Sequence, residues 1–116
     1  EEGTWTPTVV VNSGTATGYT ITDSVYTKIG RMVTVKTQIT PTGGTFGNGT
    51  GYCQVSGLPF VPTGTSFAGQ MSNSANLLIG EFALASTNSA LVTIFIMAGI
   101  TISVGNAAVL QVTYFV

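Results

Sequence analysis

The sequence has no histidine, a single cysteine and very few charges. Three cationic and four acidic side chains make up 6% of its 116 residues and leave a net charge of −1, whereas about a quarter of an average soluble domain is charged. Without histidine, a serine or cysteine nucleophile has no imidazole base. Cys53 alone forms neither an intramolecular disulfide nor a Cys/His zinc site. We therefore expect no enzyme, no catalytic residue, no metal and no cofactor, and we expect Cys53 to be a reduced, buried thiol.

The shortage of cations also excludes one class of partner. Lys28, Arg31 and Lys36 are too few to neutralise the several phosphates that supply most nucleic-acid affinity. The apolar stretch 90–110 is long enough to raise the question of a membrane span, but polar residues interrupt it and β-branched residues are plentiful. Two buried strands explain it better, so we expect neither nucleic-acid binding nor membrane insertion.

Residues typical of strands and turns dominate the chain, and strong helix formers are scarce. The clearest strand is predicted over 31–40, where Val33, Val35, Thr37 and Ile39 alternate with mostly polar residues, as in a half-buried antiparallel strand. Short strands at near-regular spacing predict one all-β domain, residues 1–116, folded as an antiparallel two-sheet β-sandwich of jelly-roll type. The other predicted strands cover 5–11, 19–22, 25–29, 52–55, 65–71, 77–85, 91–97, 100–104 and 109–116.

The glycine-rich segment 41–51 is predicted to be a loop. Asn48-Gly49 favours a tight turn, so we expect a hairpin that leads into strand 52–55. Residues 44–51 superficially resemble a phosphate-binding loop, but no Lys-Ser/Thr follows them. Gly57-Leu58-Pro59-Phe60 predicts another turn, with Leu58 and Phe60 closing the end of the core.

Two acidic residues are the only internal candidates for catalysis. Asp23 and Glu81 are the one pair available as acid and base of glycoside hydrolysis. Asp23 lies in a Thr-Asp-Ser segment, where aspartate commonly bonds backbone amides of a turn. Glu81 lies in an apolar segment, where its charge needs water or a partner, Arg31 or Lys36. The turn role explains Asp23 adequately, so no catalytic residue is assigned.

Four aromatic residues are candidates for stacking on sugar rings: Trp5, Tyr19, Tyr26 and Tyr52. Core packing is the favoured interpretation of each, and Trp5 should be extensively buried because apolar residues of the first predicted strand share its face. A surface rich in hydroxyls and amides and poor in charge suits a neutral, polyhydroxylated ligand. The sequence assigns no ligand-binding residues, which are unknown.

Three segments resemble the C-terminal domain of bacteriophage tail fibres and tailspikes, in an order and spacing that cover nearly the whole chain. They are Gly3-Thr4-Trp5-Thr6-Pro7, Tyr26-Thr27-Lys28-Ile29-Gly30-Arg31-Met32-Val33-Thr34-Val35 and Val55-Ser56-Gly57-Leu58-Pro59-Phe60, followed by a terminal strand, Gln111–Val116. The resemblance implies the C-terminal head of a longer chain, a homotrimer at the distal end of a fibre or spike in the virion, assembled in the bacterial cytoplasm. It also implies contact with host-cell surface polysaccharide or lipopolysaccharide. Recognition loops vary within this family, so no binding residue is carried over.

Two functions agree with this resemblance. One is recognition of host glycans by a trimeric head; the other is a purely structural trimerisation cap that stabilises an upstream depolymerase or shaft. A small glycosidase or esterase, and a bacterial adhesin or pilin, are further alternatives. We expect the trimer interface to draw on the uncharged segment 82–116, because strand 91–97 is apolar on both faces and a sandwich covers only one.

Overall fold

The computed structural model of the chain describes residues 1–11, 17–44, 52–63, 69–73, 82–85, 91–95 and 107–116. These residues form strands and connecting segments without any helix, so the predicted all-β class is confirmed for the described part of the chain. No helix there is long and apolar enough to cross a membrane. The described residues contain nine strands: β1 Glu2–Thr4, β2 Thr8–Val11, β3 Gly18–Ile29, β4 Met32–Gly43, β5 Tyr52–Ser56, β6 Gly69–Asn73, β7 Phe82–Ala85, β8 Leu91–Phe95 and β9 Ala108–Phe115.

The strands form two antiparallel sheets. The five-stranded sheet has the order β1-β3-β4-β9-β6, and the four-stranded sheet has the order β2-β5-β8-β7. The predicted hairpin leading into residues 52–55 is wrong, because β5 pairs with β2 and β8 in the other sheet. Both edges of β4 are already paired, one with β3 and the other with β9. Strand β4 also extends to Gly43, so residues 41–43 lie in a strand and the predicted loop is wrong there.

Only residues 8–11 of the first predicted strand, 5–11, form a strand; the prediction is wrong for residues 5–7. Strand β1 ends at Thr4 and β2 begins at Thr8, so Trp5–Pro7 carries the chain from one sheet to the other. We call Trp5–Pro7 the connector. Pro7 has no N–H to donate to a ladder, and the Trp5 amide instead donates to the Ser24 carbonyl at 3.1 Å. Trp5 is buried, as predicted, and its indole Nε1–H donates to the Lys36 carbonyl at 3.1 Å.

The two predicted strands 19–22 and 25–29 belong to one strand, β3, which contains a bulge. Thr22 pairs with Gln38 and Val25 pairs with Lys36, so Asp23 and Ser24 together face only Thr37. Asp23 has a φ of 53°, a left-handed conformation that aspartate tolerates better than most residues. The Ser24 and Thr37 hydroxyls are hydrogen-bonded at 2.8 Å, which satisfies the buried Thr37 side chain.

The core contains apolar residues from both sheets. The predicted alternation in β4 is confirmed, because Val33, Val35, Thr37 and Ile39 are buried. Every second residue of β9 is buried as well, so the apolar side of this strand is covered within the chain. The core cluster consists of Trp5, Val9, Val33, Val35, Ile39, Val55, Leu58, Ala108, Leu110, Val112 and Tyr114, with Ile21, Tyr26, Phe60 and Val116 packed against it.

Tyr114 is the largest fully buried side chain, and its hydroxyl has no hydrogen-bond partner among the described residues. Burial raises the pKa of Tyr114 to about 12, and the nearby Phe60 backbone lowers it in part without reaching hydrogen-bond geometry. An unsatisfied buried hydroxyl costs about 1–3 kcal/mol. Tyr114→Phe should therefore raise the free energy of unfolding by about 1 kcal/mol in urea denaturation.

The matched control for this variant is Tyr26→Phe, because the Tyr26 hydroxyl donates to Glu1 Oε1 at 3.0 Å in an exposed position. That change should not stabilise the domain. The raised pKa of Tyr114 also makes the free energy of unfolding depend on pH. This free energy is highest below about pH 10, where the phenol of the unfolded chain titrates, and it falls as the pH rises through about 12. Tyr114→Phe should thus lose less stability than the wild type above pH 10. A less stable Tyr114→Phe at neutral pH would contradict this account.

Candidate functional site

The outward face of the five-stranded sheet is rich in hydroxyl and amide groups. Thr27, Thr34 and Thr113 are neighbours on β3, β4 and β9, and the Thr34 and Thr113 hydroxyls are hydrogen-bonded at 2.9 Å. Further along, the register places Lys36 beside Gln111 and Thr22 beside Gln38. We call this surface of β1, β3, β4 and β9 the polar face.

The polar face carries little formal charge. Glu2 pairs with Thr27 at its edge and Lys36 lies near its centre, and Asp23 is exposed on the bulge of β3. Each threonine hydroxyl donates one hydrogen bond and accepts others, and each glutamine amide does both. The face therefore offers many hydrogen bonds without a strong electrostatic preference for anions or cations.

One end of the same face is apolar. Ile29 pairs with Met32, and Met32 pairs with Phe115, so the three residues form a row across β3, β4 and β9. Their exposed fractions are 67%, 38% and 44%. We call them the apolar row; exposed apolar groups that lie together are typical of a contact surface.

The segments that resemble the phage family come together in space. Tyr26 packs edge-on against Phe60, with ring centroids 5.4 Å apart, and the Lys28 ammonium lies 5.3 Å from the Phe60 centroid. Gly3 pairs with Tyr26, so close that a Cβ there would be 2.7 Å from the tyrosine ring. Through these contacts the start of the chain, the β3–β4 hairpin and the turn after β5 pack against one another.

The aromatic side chains make contacts within the protein. The Glu1 carboxylate accepts the Tyr26 hydroxyl, and this hydrogen bond, with desolvation and the Glu1 charge, raises the pKa of Tyr26. Tyr19 is 37% exposed, and its hydroxyl donates to the Val9 carbonyl at 3.2 Å, which ties β3 to the other sheet. With Trp5 buried, core or structural packing is confirmed for Trp5 and Tyr26. Tyr52 pairs with Phe95 through the backbone, but its side chain lies outside the described residues.

Of the two candidate carboxylates, the structure describes only Asp23. It is exposed on the bulge of β3 and occupies an extra position in a strand rather than the predicted turn. Glu81 lies outside the described residues, as do its predicted ion pairs with Arg31 or Lys36. The Arg31 guanidinium Nε donates to the Val116 carbonyl at 2.7 Å.

The remaining predicted features are described in part. The Cys53 backbone pairs with Val11 and Ile94, but its thiol lies outside the described residues, and so do Asn48-Gly49 and the predicted strand 100–104. Within the described ranges, no three His, Cys, Asp or Glu side chains lie close enough together to hold a metal ion.

Sequence reasoning missed the bulge at Asp23, although one signal for it exists. Ile21 and Tyr26 both pack against the core, yet an odd and an even position of one strand fall on opposite faces unless an extra residue intervenes. The polar residues Thr22, Asp23 and Ser24 mark where that extra residue lies.

Comparisons of the chain with protein-family models, curated proteins and solved structures found no match.

Proposed function

We propose that this chain is the trimeric head of a bacteriophage tail fibre or tailspike and that it binds neutral glycans on the host-cell surface. The polar face is the observation that carries the proposal. It presents hydroxyl and amide groups on an antiparallel sheet with few charged side chains, among them Glu2, Asp23 and Lys36. Sugars have many hydroxyls and little charge, and such groups are bound by side chains that both donate and accept hydrogen bonds.

The proposal includes a finer description of the fold. The two sheets pack face to face as a β-sandwich of jelly-roll type, one domain over residues 1–116 with no catalytic role. Support comes from the core cluster, in which Val9 and Val55 of the four-stranded sheet join Val33, Leu110 and other residues of the five-stranded sheet. Strand β7 also contacts β6 and β9 across the two sheets.

Support for the trimer comes from the register of the four-stranded sheet. Tyr52 pairs with Phe95, and Phe95 pairs with Phe82, so three aromatic positions lie side by side on β5, β8 and β7. Strand alternation puts these positions on the sheet face opposite to that of the buried Val55. We call them the aromatic row. Two of the three belong to segment 82–116, and aromatic residues are enriched in protein interfaces.

Three-fold symmetry follows from the resemblance to fibres rather than from the sheets themselves. A permanent interface of this kind buries more than about 2,000 Å² in total. Strand β9 contributes less than the sequence suggested, because its apolar side is already covered inside the chain.

The apolar row favours a second candidate, the structural trimerisation cap. Ile29, Met32 and Phe115 are exposed together at one end of the five-stranded sheet, where they fit contact with an upstream shaft or enzyme domain better than contact with sugar hydroxyls.

Two measurements on the purified protein separate these proposals. Sedimentation equilibrium should give three times the 11.9 kDa chain mass. The trimer should also bind purified bacterial lipopolysaccharides or capsular polysaccharides on a glycan array. A folded trimer that binds neither the array nor bacterial cells would favour the cap, and a monomer at micromolar concentration would contradict both candidates.

A further inference from the structure

A groove opens where the connector passes the bulge of β3. Its volume is about 370 Å³, within the range of about 300–1,000 Å³ typical of small-molecule sites. We call it the connector groove. It is lined by Thr4, Trp5, Thr6, Pro7, Ile21, Thr22, Asp23 and Ser24.

Hydrogen bonds hold the walls of the connector groove in place. The Trp5 amide donates to the Ser24 carbonyl and the Trp5 indole donates to the Lys36 carbonyl, each at 3.1 Å. The Ser24 hydroxyl is bonded in turn to the buried Thr37 hydroxyl at 2.8 Å. A site held in this way loses little conformational freedom when a ligand binds.

The chemistry of the groove combines one carboxylate with hydroxyls and apolar surface. Asp23 is exposed, and an ionised carboxylate accepts hydrogen bonds at both oxygens. Thr4, Thr6 and Thr22 add hydroxyls around it, while Pro7 and Ile21 add apolar surface. The left-handed backbone of Asp23, with φ of 53°, belongs to a class of strained conformations that concentrates at ligand clamps and active sites.

We propose that the connector groove binds one sugar unit of a neutral saccharide, with two adjacent hydroxyls donating to the Asp23 carboxylate. The apolar wall packs against the C–H face of the ring, and the threonine hydroxyls bind the remaining oxygens. The ligand class rests on the proposed function; the location and the role of Asp23 are additional.

Trp5 fluorescence can report binding in the groove, because Trp5 is the single tryptophan of the chain and lies in the groove wall. Titration of the whole protein with methyl glycosides of glucose, galactose, mannose and rhamnose, and with the array polysaccharides, should give a saturable change in Trp5 fluorescence for at least one of them. Asp23→Asn should weaken that binding about tenfold, the difference between a charged and a neutral hydrogen bond.

Two further variants make the test specific. Glu1→Gln removes one exposed carboxylate that lies outside both the groove and the polar face, and it should leave the affinity unchanged. Asp23→Gly removes the side chain while easing the positive φ, and it should bind as weakly as Asp23→Asn without loss of thermal stability.

The outcomes distinguish the groove from the function. If the wild type and Asp23→Asn bind a polysaccharide equally, the groove assignment is wrong and the glycan-binding function stands. If Glu1→Gln weakens binding as much as Asp23→Asn, the effect comes from general surface charge and the groove assignment is again wrong. If the wild-type trimer binds no saccharide in either assay, both proposals fail.

Discussion

Phe95→Asp should give a folded monomer, whereas Ile94→Asp should prevent folding. The two residues are neighbours on β8, so alternation puts them on opposite faces of the four-stranded sheet. Phe95 belongs to the aromatic row, which the proposed trimer buries, and a charge there would be hydrated in a separated subunit. Ile94 pairs with Cys53, which shares the strand face of the fully buried Val55. Position 94 therefore lies on the sheet face that carries Val55, and we expect a carboxylate there to lose its hydration at a cost of several kcal/mol.

Sedimentation equilibrium and circular dichroism separate these outcomes, the first reporting mass and the second reporting strand content. Phe95→Leu is the matched control, because it keeps an apolar side chain and should remain a trimer. If the Phe95→Asp protein still sediments as a trimer, the aromatic row is not part of the interface.

Gly57→Ala should destabilise the domain by about 3 kcal/mol or more. Gly57 has a φ of 91°, and a Cβ there would lie 2.4 Å from the Thr6 carbonyl oxygen of the connector. Alanine would therefore add backbone strain and force the connector away from the turn that follows β5. The thermal midpoint of unfolding should fall by well over 10 °C, since about 1 kcal/mol corresponds to roughly 4–8 °C in a domain of this size.

Gly30→Ala is the matched control for this clash. Gly30 also has a positive φ, 58°, but nothing lies within 4 Å of the position that a Cβ would take. Its replacement should cost only the conformational strain of about 1–2 kcal/mol. Equal losses in the two variants would mean that the contact between Gly57 and Thr6 contributes nothing.

Local features of the fold were predictable from the sequence, and strand pairing was not. The alternation around Val33 and Val35 reports which side of β4 is buried, because that pattern depends on period alone. It does not report which strand lies beside β4. Thr34 is bonded to Thr113, 79 residues away, and this partner occupies the side where the hairpin to residues 52–55 was expected.

The candidate site was predictable only in its chemistry. Abundant hydroxyls and amides indicated a surface for neutral ligands, and the polar face has that character in Thr27, Thr34 and Gln38. The connector groove was not predictable, because it forms where a sheet-to-sheet connection meets a bulge. Pro7 indicates the connection, and the odd and even numbers of the core residues Ile21 and Tyr26 indicate the bulge. Neither signal shows that the connection and the bulge lie next to each other.

The place of β9 in the five-stranded sheet has a consequence for how the chain folds during synthesis. Strand β9 lies between β4 and β6, so Val33 and Val35 lack their neighbours Tyr114 and Val112 until the ribosome has made residues 108–115. The β3–β4 hairpin, although made early, cannot complete the core by itself. Pairing over such long separations is slow, on the order of milliseconds to seconds. The unfinished domain therefore leaves the apolar side of β4 uncovered by β9 until residues 108–115 have been made.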